Sequence, residues 1–309
     1  MMTQLAATAD WVEGAQRAAR GIRQRVLEHT VLNNGGYLSQ ACSSAETLAT
    51  LYLRVLRLGP SVAPEVPLPF PGVPGPANDD YFTGAGYNGP RRPEFDRFIL
   101  SPAHYALALY AALIEVGRMA PEGLRQFNMD GSSVEMIGAE HSPGMEVTTG
   151  SLAQGLSQAA GIALARRLRG ETGRTFVYMS DGEFQEGQTW EAFEVLSHHR
   201  LGSVGVYVDV NGQQCDGRMS DVLGVGDLAA KLKAFDAEVR EVDGHDVRAL
   251  ADAGEWQGDR PLVVLAHANP CQGIDILRQR EPKLHYVRFK SEEERQAYRE
   301  LLKTWQEEA

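Results

Sequence analysis

Two polar residues, each placed directly after a β-like run, are the first candidates for chemistry in this sequence. Asp181 follows the apolar run at residues 175–179 within Ser-Asp-Gly, and Asn211 follows the run at residues 204–208 within Asp-Val-Asn-Gly. A helical pattern of apolar residues separates the two runs, so the stretch predicts a strand–helix–strand unit. Neighbouring parallel strands end at the same sheet edge, and the thirty-residue spacing suits one crossover. We therefore expect the carboxylate and the amide to meet at that edge.

A small divalent cation is the ligand that this pair of oxygen donors would suit. Mg²⁺ takes oxygen ligands in octahedral geometry and commonly shares them with a phosphorylated ligand, and Ca²⁺ or Mn²⁺ could substitute for it. The expected protein ligands are Asp181, Asn211 and the backbone carbonyl of Gln213, with diphosphate oxygens and a water completing the shell. On spacing alone, an ordinary crossover with an Asp turn and an Asn turn explains the pattern equally well, since both residues favour turns.

The residues around this unit resemble the transketolase family of thiamine-diphosphate enzymes. The similar motifs are DGEFQEGQTWEA at residues 181–192, VDVNGQQCDG at residues 208–217 and VTTGSLAQG at residues 147–155. The last resembles the family's cofactor loop, except that Ala153 stands where glycine is usual. The resemblance implies that a metal ion holds the cofactor's diphosphate and that the loop contacts its rings. The cofactor-binding residues that it implies are Gly150, Leu152, Asp181, Gly182, Glu183, Glu186, Asn211, His104 and His285.

The same resemblance implies three catalytic side chains. His104, in Leu-Ser-Pro-Ala-His, is similar to a cofactor-side histidine, and His285, in Pro-Lys-Leu-His, to one that reaches the diphosphate or a substrate oxygen. Tyr37 stands where the family has a substrate-side histidine in Gly-His-Pro-Gly. A phenol with an ordinary pKa near 10 is a poor proton shuttle at neutral pH. Since residues 128–145 also lack the family's second Gly-His-Pro, we expect a site reshaped for a different substrate.

The fold that the resemblance implies is α/β, a mostly parallel sheet with helices on both faces. It would form a single diphosphate-binding domain over residues 1–309. Apolar periodicity predicts further elements: helices over 10–33, from Ser43 or Ser44 to 56 and over 291–309, and strands near 236–242 and 261–266. Residues 60–93 form an insertion dense in proline and glycine, longer than the family's usual connection. We expect it to lie against a partner or over the site entrance, or else to be a plain surface loop.

Composition excludes several classes of protein. The 309 residues carry a net charge of −11 and a sequence pI near 5.3, which argues against a general nucleic-acid or anionic-membrane surface. No apolar run approaches the roughly 20 residues that span a bilayer, and the N-terminus lacks a basic segment followed by an apolar one. Cys42, Cys215 and Cys271 are widely separated, a pattern typical of reduced cysteines. We therefore expect a cytoplasmic protein.

The resemblance covers only part of a transketolase, which implies that a partner chain supplies the rest. The similar motifs belong to the first module of a transketolase, and the family's glutamate that contacts the pyrimidine ring comes from another module. We expect a second subunit that carries the pyrimidine-binding and C-terminal domains, a heterotetramer, and activity only in the assembled enzyme. The expected reaction moves a two-carbon ketol unit from a small ketose to an acceptor, with no nucleic-acid or membrane partner. Alternatively, the sequence is a fragment of a longer chain.

Two other functions stay open at this point. The α-type subunit of a 2-oxo acid decarboxylase or dehydrogenase is also one chain of a split thiamine enzyme, although its motif around the asparagine differs. A regulatory or assembly subunit that keeps the fold without the chemistry would tolerate Tyr37 and the altered residues around Met136. Intact Asp181 and Asn211 argue against the regulatory alternative.

Overall fold

Five parallel strands form the central sheet. The computed structural model describes residues 10–307. Its strands are, in chain order, β1 Arg97–Leu100, β2 Thr175–Ser180, β3 Val204–Val210, β4 Gln213–Gln214, β5 Gly217–Arg218, β6 Glu238–Asp243 and β7 Leu262–His267. The central sheet has the order β1-β2-β3-β7-β6, and every neighbouring pair in it is parallel. The short strands β4 and β5 form a separate antiparallel hairpin.

Helices cover both faces of this sheet. They are α1 Asp10–Asn33, α2 Leu38–Thr50, α3 Ala106–Glu115, α4 Gln154–Leu168, α5 Gly187–His198, α6 Met219–Val222, α7 Leu228–Ala234, α8 Val247–Ala253 and α9 Glu292–Glu307. One core joins α1, α2, α3, α8 and α9 to Phe176 and Tyr178, and the other joins α4, α5 and α7 to Val177 and Met179. Alternate residues of β2 thus pack into the two cores on opposite faces of the sheet, which confirms the predicted α/β fold. Within residues 10–307, none of the helices combines the length and apolarity that a membrane span requires.

The helix predicted to start at Ser43 or Ser44 in fact starts earlier. α2 begins at Leu38, so that prediction is wrong, whereas α1 has the predicted bounds. Every residue of α2 is buried, so tertiary packing sets its start. Ser43 donates to Asp209 Oδ2 at 2.5 Å and is not a cap. Residues 1–9 of the predicted domain and residues 308–309 of the predicted last helix lie outside the described part of the chain.

The insertion at residues 60–93 lies against its own chain. Pro69 forms an isolated bridge with Ser132, and Phe70 N donates to Gly131 O at 2.8 Å. Near the other end of the insertion, Asn88 Nδ2 donates to Gly144 O at 3.1 Å. The backbone is irregular apart from a short 3₁₀ turn over Gly84–Asn88, as its proline and glycine content predicts.

Candidate functional site

The carboxyl ends of β2 and β3 place Asp181 beside the turn at Asn211. β2 ends at Ser180, which is in register with Asp209 of β3, so both strands leave the sheet at the same edge. Asp181 is 3% exposed, and its Oδ2 accepts a hydrogen bond from Gly212 N at 2.7 Å. Its Oδ1 is buried and has no hydrogen-bond partner among residues 10–307. One carboxylate oxygen is therefore left to bind something else.

A second buried carboxylate, Asp209, lies behind this one, and the sequence reasoning missed it. Its Oδ2 accepts hydrogen bonds from Ser43 Oγ at 2.5 Å, Tyr105 Oη at 2.7 Å and Asn211 Nδ2 at 2.9 Å. Burial raises the pKa of Asp209 to about 6. Burial and, secondly, the Asp209 carboxylate raise the pKa of Asp181 to about 7. A carboxylate inside an otherwise apolar strand was the signal that could have identified Asp209.

The amide of Asn211 is fixed at both ends. Its Nδ2 donates to Asp209, while Oδ1 accepts a hydrogen bond from Gln213 N at 2.9 Å. This contact to the backbone two residues on is the Asx geometry that folds such turns. Gln213 then begins β4, and its buried side-chain Oε1 lacks a partner in the described part of the chain. Asn211 and Gln213 therefore belong to one turn, and Gly212 of that turn contacts Asp181.

Glu183 connects the predicted cofactor loop to the strand ends. Its Oε1 accepts hydrogen bonds from Ser101 Oγ at 2.5 Å and Ala153 N at 2.9 Å, and its Oε2 accepts one from Ser180 N at 2.9 Å. The residue is 0% exposed, and burial raises its pKa while these hydrogen bonds lower it. Both oxygens already bind donors of the protein, so we interpret Glu183 as a positioning residue and not as a direct cofactor contact.

The loop itself is anchored at its ends and exposed in its middle. Thr149 Oγ1 donates to Leu100 O at 2.7 Å, which ties the loop to β1. Gly150 is exposed and Leu152 is 37% exposed. At Gly155, a Cβ would lie 2.5 Å from Ser101 Oγ, so only glycine lets α4 approach this closely. Between these anchors, an apolar side chain and a bare backbone face outward.

Ala153 has a strained backbone at the N-terminus of α4. Its φ is +69°, in the left-handed region, and its N–H donates to Glu183. This conformation costs an L-residue roughly 1–2 kcal/mol, which glycine avoids at some entropic cost in the unfolded chain. We expect Ala153→Gly to raise the free energy of unfolding by about 0.5–1 kcal/mol. Urea denaturation of both proteins measures this, and a glycine variant no more stable than the parent would contradict it.

Tyr37, His104 and His285 form one aromatic cluster. Their ring centroids are 5.3 Å apart for Tyr37 and His104, 5.4 Å for Tyr37 and His285, and 4.9 Å for the two histidines. Tyr286 packs edge-on to Tyr37 at 5.0 Å. Gly36 pairs with Val287 in an isolated bridge, which holds the two segments together. Residues predicted as catalytic from distant parts of the chain thus lie side by side.

Tyr105 connects the aromatic cluster to the carboxylates. Its ring centroid is 5.0 Å from that of His104, and its hydroxyl donates to Asp209 and lies 3.2 Å from Asn211 Nδ2. Sequence reasoning did not single out Tyr105. The histidines and the strand-end residues are therefore connected by direct contacts.

Both histidines of the cluster are neutral at physiological pH. Burial and then the charge of His285 lower the pKa of His104 to about 3, and burial lowers the pKa of His285. Gln40 Nε2 lies 3.2 Å from His285 Nδ1 and donates to it, which assigns the ring proton to Nε2. Burial, Tyr286 and Cys215 raise the pKa of Tyr37. Neutral donors of this kind orient an oxygen atom without placing a charge on it.

A third histidine, His29, allows the same burial effect to be measured away from the site. Its ring packs against Phe127 at 4.5 Å, and burial lowers its pKa from 6.5 to about 4. Between pH 6.5 and 4, the unfolded state therefore binds more protons than the folded state. The contribution of His29 to stability is fully present above pH 6.5 and is lost as the pH falls towards 4. We expect the stability advantage over His29→Gln to shrink by about 1.4 kcal/mol per pH unit across this range.

The quantity to measure is the difference in free energy of unfolding between the parent chain and His29→Gln. Asp181 and Asp209 have raised pKa values and act in the opposite direction over the same range. Parallel urea denaturation of parent and variant at several pH values cancels that contribution. A pH-independent difference would contradict the lowered pKa of the half-buried His29.

Two predicted site residues lie at the edge of this arrangement. Glu186 is exposed at the start of α5. Gly182 is half-buried, and a Cβ there would meet only Ser180 Oγ, at 4.0 Å. The space next to Asp181 is therefore open on the side of Gly182.

A parallel α/β sheet with an unpartnered carboxylate and a fixed amide at neighbouring strand ends belongs to the class that binds cofactors at the carboxyl edge. Residues 82–268 match the family described as "Transketolase, thiamine diphosphate binding domain". The chain is 35% identical over 288 residues to a transketolase family protein from Sinorhizobium fredii, covering 91% of this chain and 92% of that one. The chain belongs to the transketolase family, as its motifs predicted.

Other relatives differ in how much of their length is shared. An apulose-4-phosphate transketolase subunit from Actinobacillus succinogenes is 30% identical over 293 residues, which cover 93% of this chain and 95% of that one. Human transketolase-like protein 2 is 30% identical over 275 residues, but these cover only 40% of its length. The transketolase structure from Campylobacter jejuni superposes with a TM-score of 0.72 at 19% identity, and 43% of that chain is covered. This last similarity shows a shared fold.

Proposed function

We propose that this chain is the diphosphate-binding subunit of a thiamine-diphosphate-dependent, transketolase-like enzyme. The enzyme would transfer a two-carbon ketol unit from a ketose donor to an acceptor. The observation that supports this most directly is the buried Asp181 Oδ1, which has no partner within residues 10–307. A buried polar oxygen without a donor costs stability, and a bound cation removes that cost.

Mg²⁺ suits the donor atoms at this position. Asp181 Oδ1 has no partner in the part of the chain that the structure describes, and Asn211 Oδ1 keeps a second lone pair beside its bond from Gln213 N. Among residues 10–307, no group of three or more His, Cys, Asp and Glu side chains is arranged to hold a metal. The proposed shell is therefore completed by the Gln213 carbonyl, diphosphate oxygens and water, as is usual for Mg²⁺. Ca²⁺ or Mn²⁺ would occupy the same site.

The side chains of the aromatic cluster would orient the substrate. When bound, thiamine diphosphate supplies the nucleophilic thiazolium carbon that attacks the donor's carbonyl. His285, with its proton on Nε2, would donate a hydrogen bond to an oxygen of the ketose. Neutral His104 would accept a hydrogen bond from a ketose hydroxyl and hold it in place without becoming charged. Tyr37 adds a hydroxyl that donates but does not titrate near neutral pH. Gly150 and Leu152 offer backbone and apolar contact to the cofactor rings.

A second chain completes the proposed enzyme. It would carry the pyrimidine-binding and C-terminal domains, assemble with this chain as a heterotetramer in the cytoplasm, and contact the exposed Glu186. Several relatives are named as subunits, among them one of apulose-4-phosphate transketolase and one, from a Clostridium species, of 6-deoxy-6-sulfo-D-fructose transketolase. The matched regions cover 95% and 83% of those two chains.

Reconstitution tests the proposal. The chain is mixed with each pyrimidine-domain chain from the same genome, thiamine diphosphate and Mg²⁺, and the sugars are followed by mass spectrometry. Donors include apulose 4-phosphate, 6-deoxy-6-sulfofructose and common ketose phosphates, because two relatives are named for the first two. We expect two-carbon transfer only in the complete mixture. Decarboxylation of a 2-oxo acid, or assembly without cofactor binding, would contradict the proposal and support the alternatives.

A further inference from the structure

Four arginines lie within one short stretch of α1. Residues 16–25 read QRAARGIRQR and contain Arg17, Arg20, Arg23 and Arg25 but no aspartate or glutamate. This is a concentrated positive charge in a chain whose net charge is −11. Charged residues on a helix are usually just solvated, so the surroundings of these four decide whether they can bind a ligand.

The four arginines line a cavity, which we call the arginine cavity. Its volume is about 680 Å³, and it lies between α1, the end of α3, the loop after β7 and α9. Gly273 of that loop and Trp305 of α9 also line it, as do Glu28 and Glu115. A volume of this order is typical of small-molecule sites. The arginine cavity is therefore large enough for a metabolite, and four arginines outnumber two glutamates in its lining.

Arg23 is buried in the wall of this cavity with part of its guanidinium unsatisfied. The residue is 5% exposed, and its Nη2 donates to Cys42 O at 3.1 Å and to Glu46. Nε is buried without a hydrogen-bond partner within residues 10–307, and Nη1 donates to no residue in that range. Because a buried N–H without an acceptor is costly, an anion from outside the chain would stabilise this group.

Glu46 and His245 fix the position of this guanidinium. Glu46 Oε2 lies 3.0 Å from His245 Nδ1, and His245 Nε2 accepts a hydrogen bond from Asn269 N at 2.8 Å. The ring proton is therefore assigned to Nδ1, which donates to Glu46. Since Glu46 accepts from both Arg23 and His245, the Arg23 side chain is oriented before any ligand binds.

Two glycines leave room beside the arginines. At Gly273, whose φ is +76°, a Cβ would lie 3.3 Å from Arg23 Cδ and 3.8 Å from Arg23 Nε. At Gly21, a Cβ would overlap Glu115 Cδ at 2.2 Å. The Glu115 carboxylate therefore lies against the α1 backbone, where it accepts a hydrogen bond from Arg25 Nε at 2.5 Å. Arg23 and Arg25 are thus both held in place at the cavity.

The other two arginines carry charge that the described part of the chain does not neutralise. Arg17 and Arg20 are exposed, lie about one helical turn apart and form no ion pair with residues 10–307, whereas Arg23 and Arg25 do. Guanidinium groups match phosphate oxygens in geometry and charge. Trp305 adds a half-buried indole against which a planar ring can stack.

We propose that the arginine cavity binds a nucleotide, with the phosphates on the arginines of α1 and the base against Trp305. A nucleoside phosphate is a metabolite that combines an anionic group with a planar ring, as this lining requires. The cavity shares none of its lining residues with the site at Asp181 and Asn211. The inference is therefore independent of the proposed function.

The test uses the double variant Arg17→Gln/Arg20→Gln, in which both changed residues are exposed. The control is Arg92→Gln/Arg167→Gln, which removes the same charge elsewhere. Arg92 precedes β1, and Arg167 is exposed on α4, which packs on the opposite face of the sheet from α1. ATP is titrated calorimetrically into each full chain in EDTA, without Mg²⁺ or thiamine diphosphate. We expect Kd to rise at least about tenfold for the test variant and less than about twofold for the control.

Trp305→Leu tests the contact to the base. The variant keeps an apolar side chain, and thermal melting checks that it and both double variants are folded. We expect its affinity for AMP to fall at least about fivefold, because stacking on the indole is lost. Ribose 5-phosphate lacks a base and should bind the parent more weakly than AMP does. Equal affinity of the parent for AMP and ribose 5-phosphate would contradict the assignment to a nucleotide.

The remaining outcomes separate this inference from the proposed function. A parent chain that binds neither ATP nor AMP, or folded double variants that bind ATP equally well, would overturn the inference. Mg²⁺-dependent binding of thiamine diphosphate is measured on the same proteins and should be unchanged in Arg17→Gln/Arg20→Gln. The proposed function therefore stands if only the nucleotide fails to bind. If only thiamine diphosphate fails to bind, the nucleotide site stands and the proposed function fails.

Discussion

Replacing Asp181 by asparagine should abolish Mg²⁺-dependent binding of thiamine diphosphate without unfolding the chain. Asparagine keeps an oxygen for the hydrogen bond from Gly212 N and has nearly the same volume. It removes the negative charge of the carboxylate whose buried Oδ1 has no hydrogen-bond partner within residues 10–307 and is the proposed metal ligand. Since changes to residues that merely support metal ligands cost 10–100-fold, we expect affinity to fall by more than about 100-fold. Titration calorimetry with thiamine diphosphate and Mg²⁺ measures this.

Asp243→Asn is the matched control for that variant. Asp243 ends β6 at the same edge of the sheet, two strands away from β3, and accepts a hydrogen bond from His245 N at 2.8 Å. We expect its cofactor affinity to equal that of the parent chain. Parent-like affinity in Asp181→Asn, or an equal loss in the control, would remove the basis for the metal site.

Glu183→Ala should destabilise the whole chain. It leaves the hydroxyl of Ser101 and the N–H groups of Ala153 and Ser180 without an acceptor in a fully buried place. With about 1–3 kcal/mol for each unsatisfied buried group, the expected loss is about 3 kcal/mol or more, or roughly 5–10 °C in melting temperature. Differential scanning calorimetry without cofactor measures it.

The exposed neighbour Glu186 provides the control for this prediction. Glu186→Ala should change the stability of the isolated chain by no more than about 0.5 kcal/mol, because its side chain is exposed. If Glu183→Ala instead melts like the parent and only its cofactor affinity falls, Glu183 contacts the cofactor directly and the positioning role is wrong.

Sequence patterns alone predict two features of the fold: the buried strands of the parallel sheet, and the edge at which two of these strands end side by side. Residues 175–179 and 204–208 have the apolar composition of strands buried on both faces, and a parallel pair brings Asp181 and Asn211 to one edge. The burial of α2 could not be predicted in this way, because it depends on packing against residues far away in sequence. Ser43 looks like a helix cap in the sequence, yet it donates to Asp209 from the middle of a helix.

Sequence patterns also cannot predict roles that depend on the exact hydrogen-bond partners of a side chain. Glu183 lies in the family's motif and is predicted to bind the cofactor, but the motif does not reveal that its oxygens accept hydrogen bonds from Ser101, Ala153 and Ser180. Family resemblance implies a role for each of Tyr37, His104 and His285, but the sequence does not predict that their rings contact each other, since no local period links residues so distant in the chain.

Locating the metal ion in a crystal structure would show whether Asp181 and Asn211 hold it. Crystals of the chain with thiamine diphosphate and Mn²⁺, in complex with its partner where one is needed, would give an anomalous signal at the ion. We expect one anomalous peak about 2.0–2.3 Å from Asp181 Oδ1 and Asn211 Oδ1. A bound diphosphate whose metal contacts neither residue, or cofactor binding with no metal at this edge of the sheet, would contradict it.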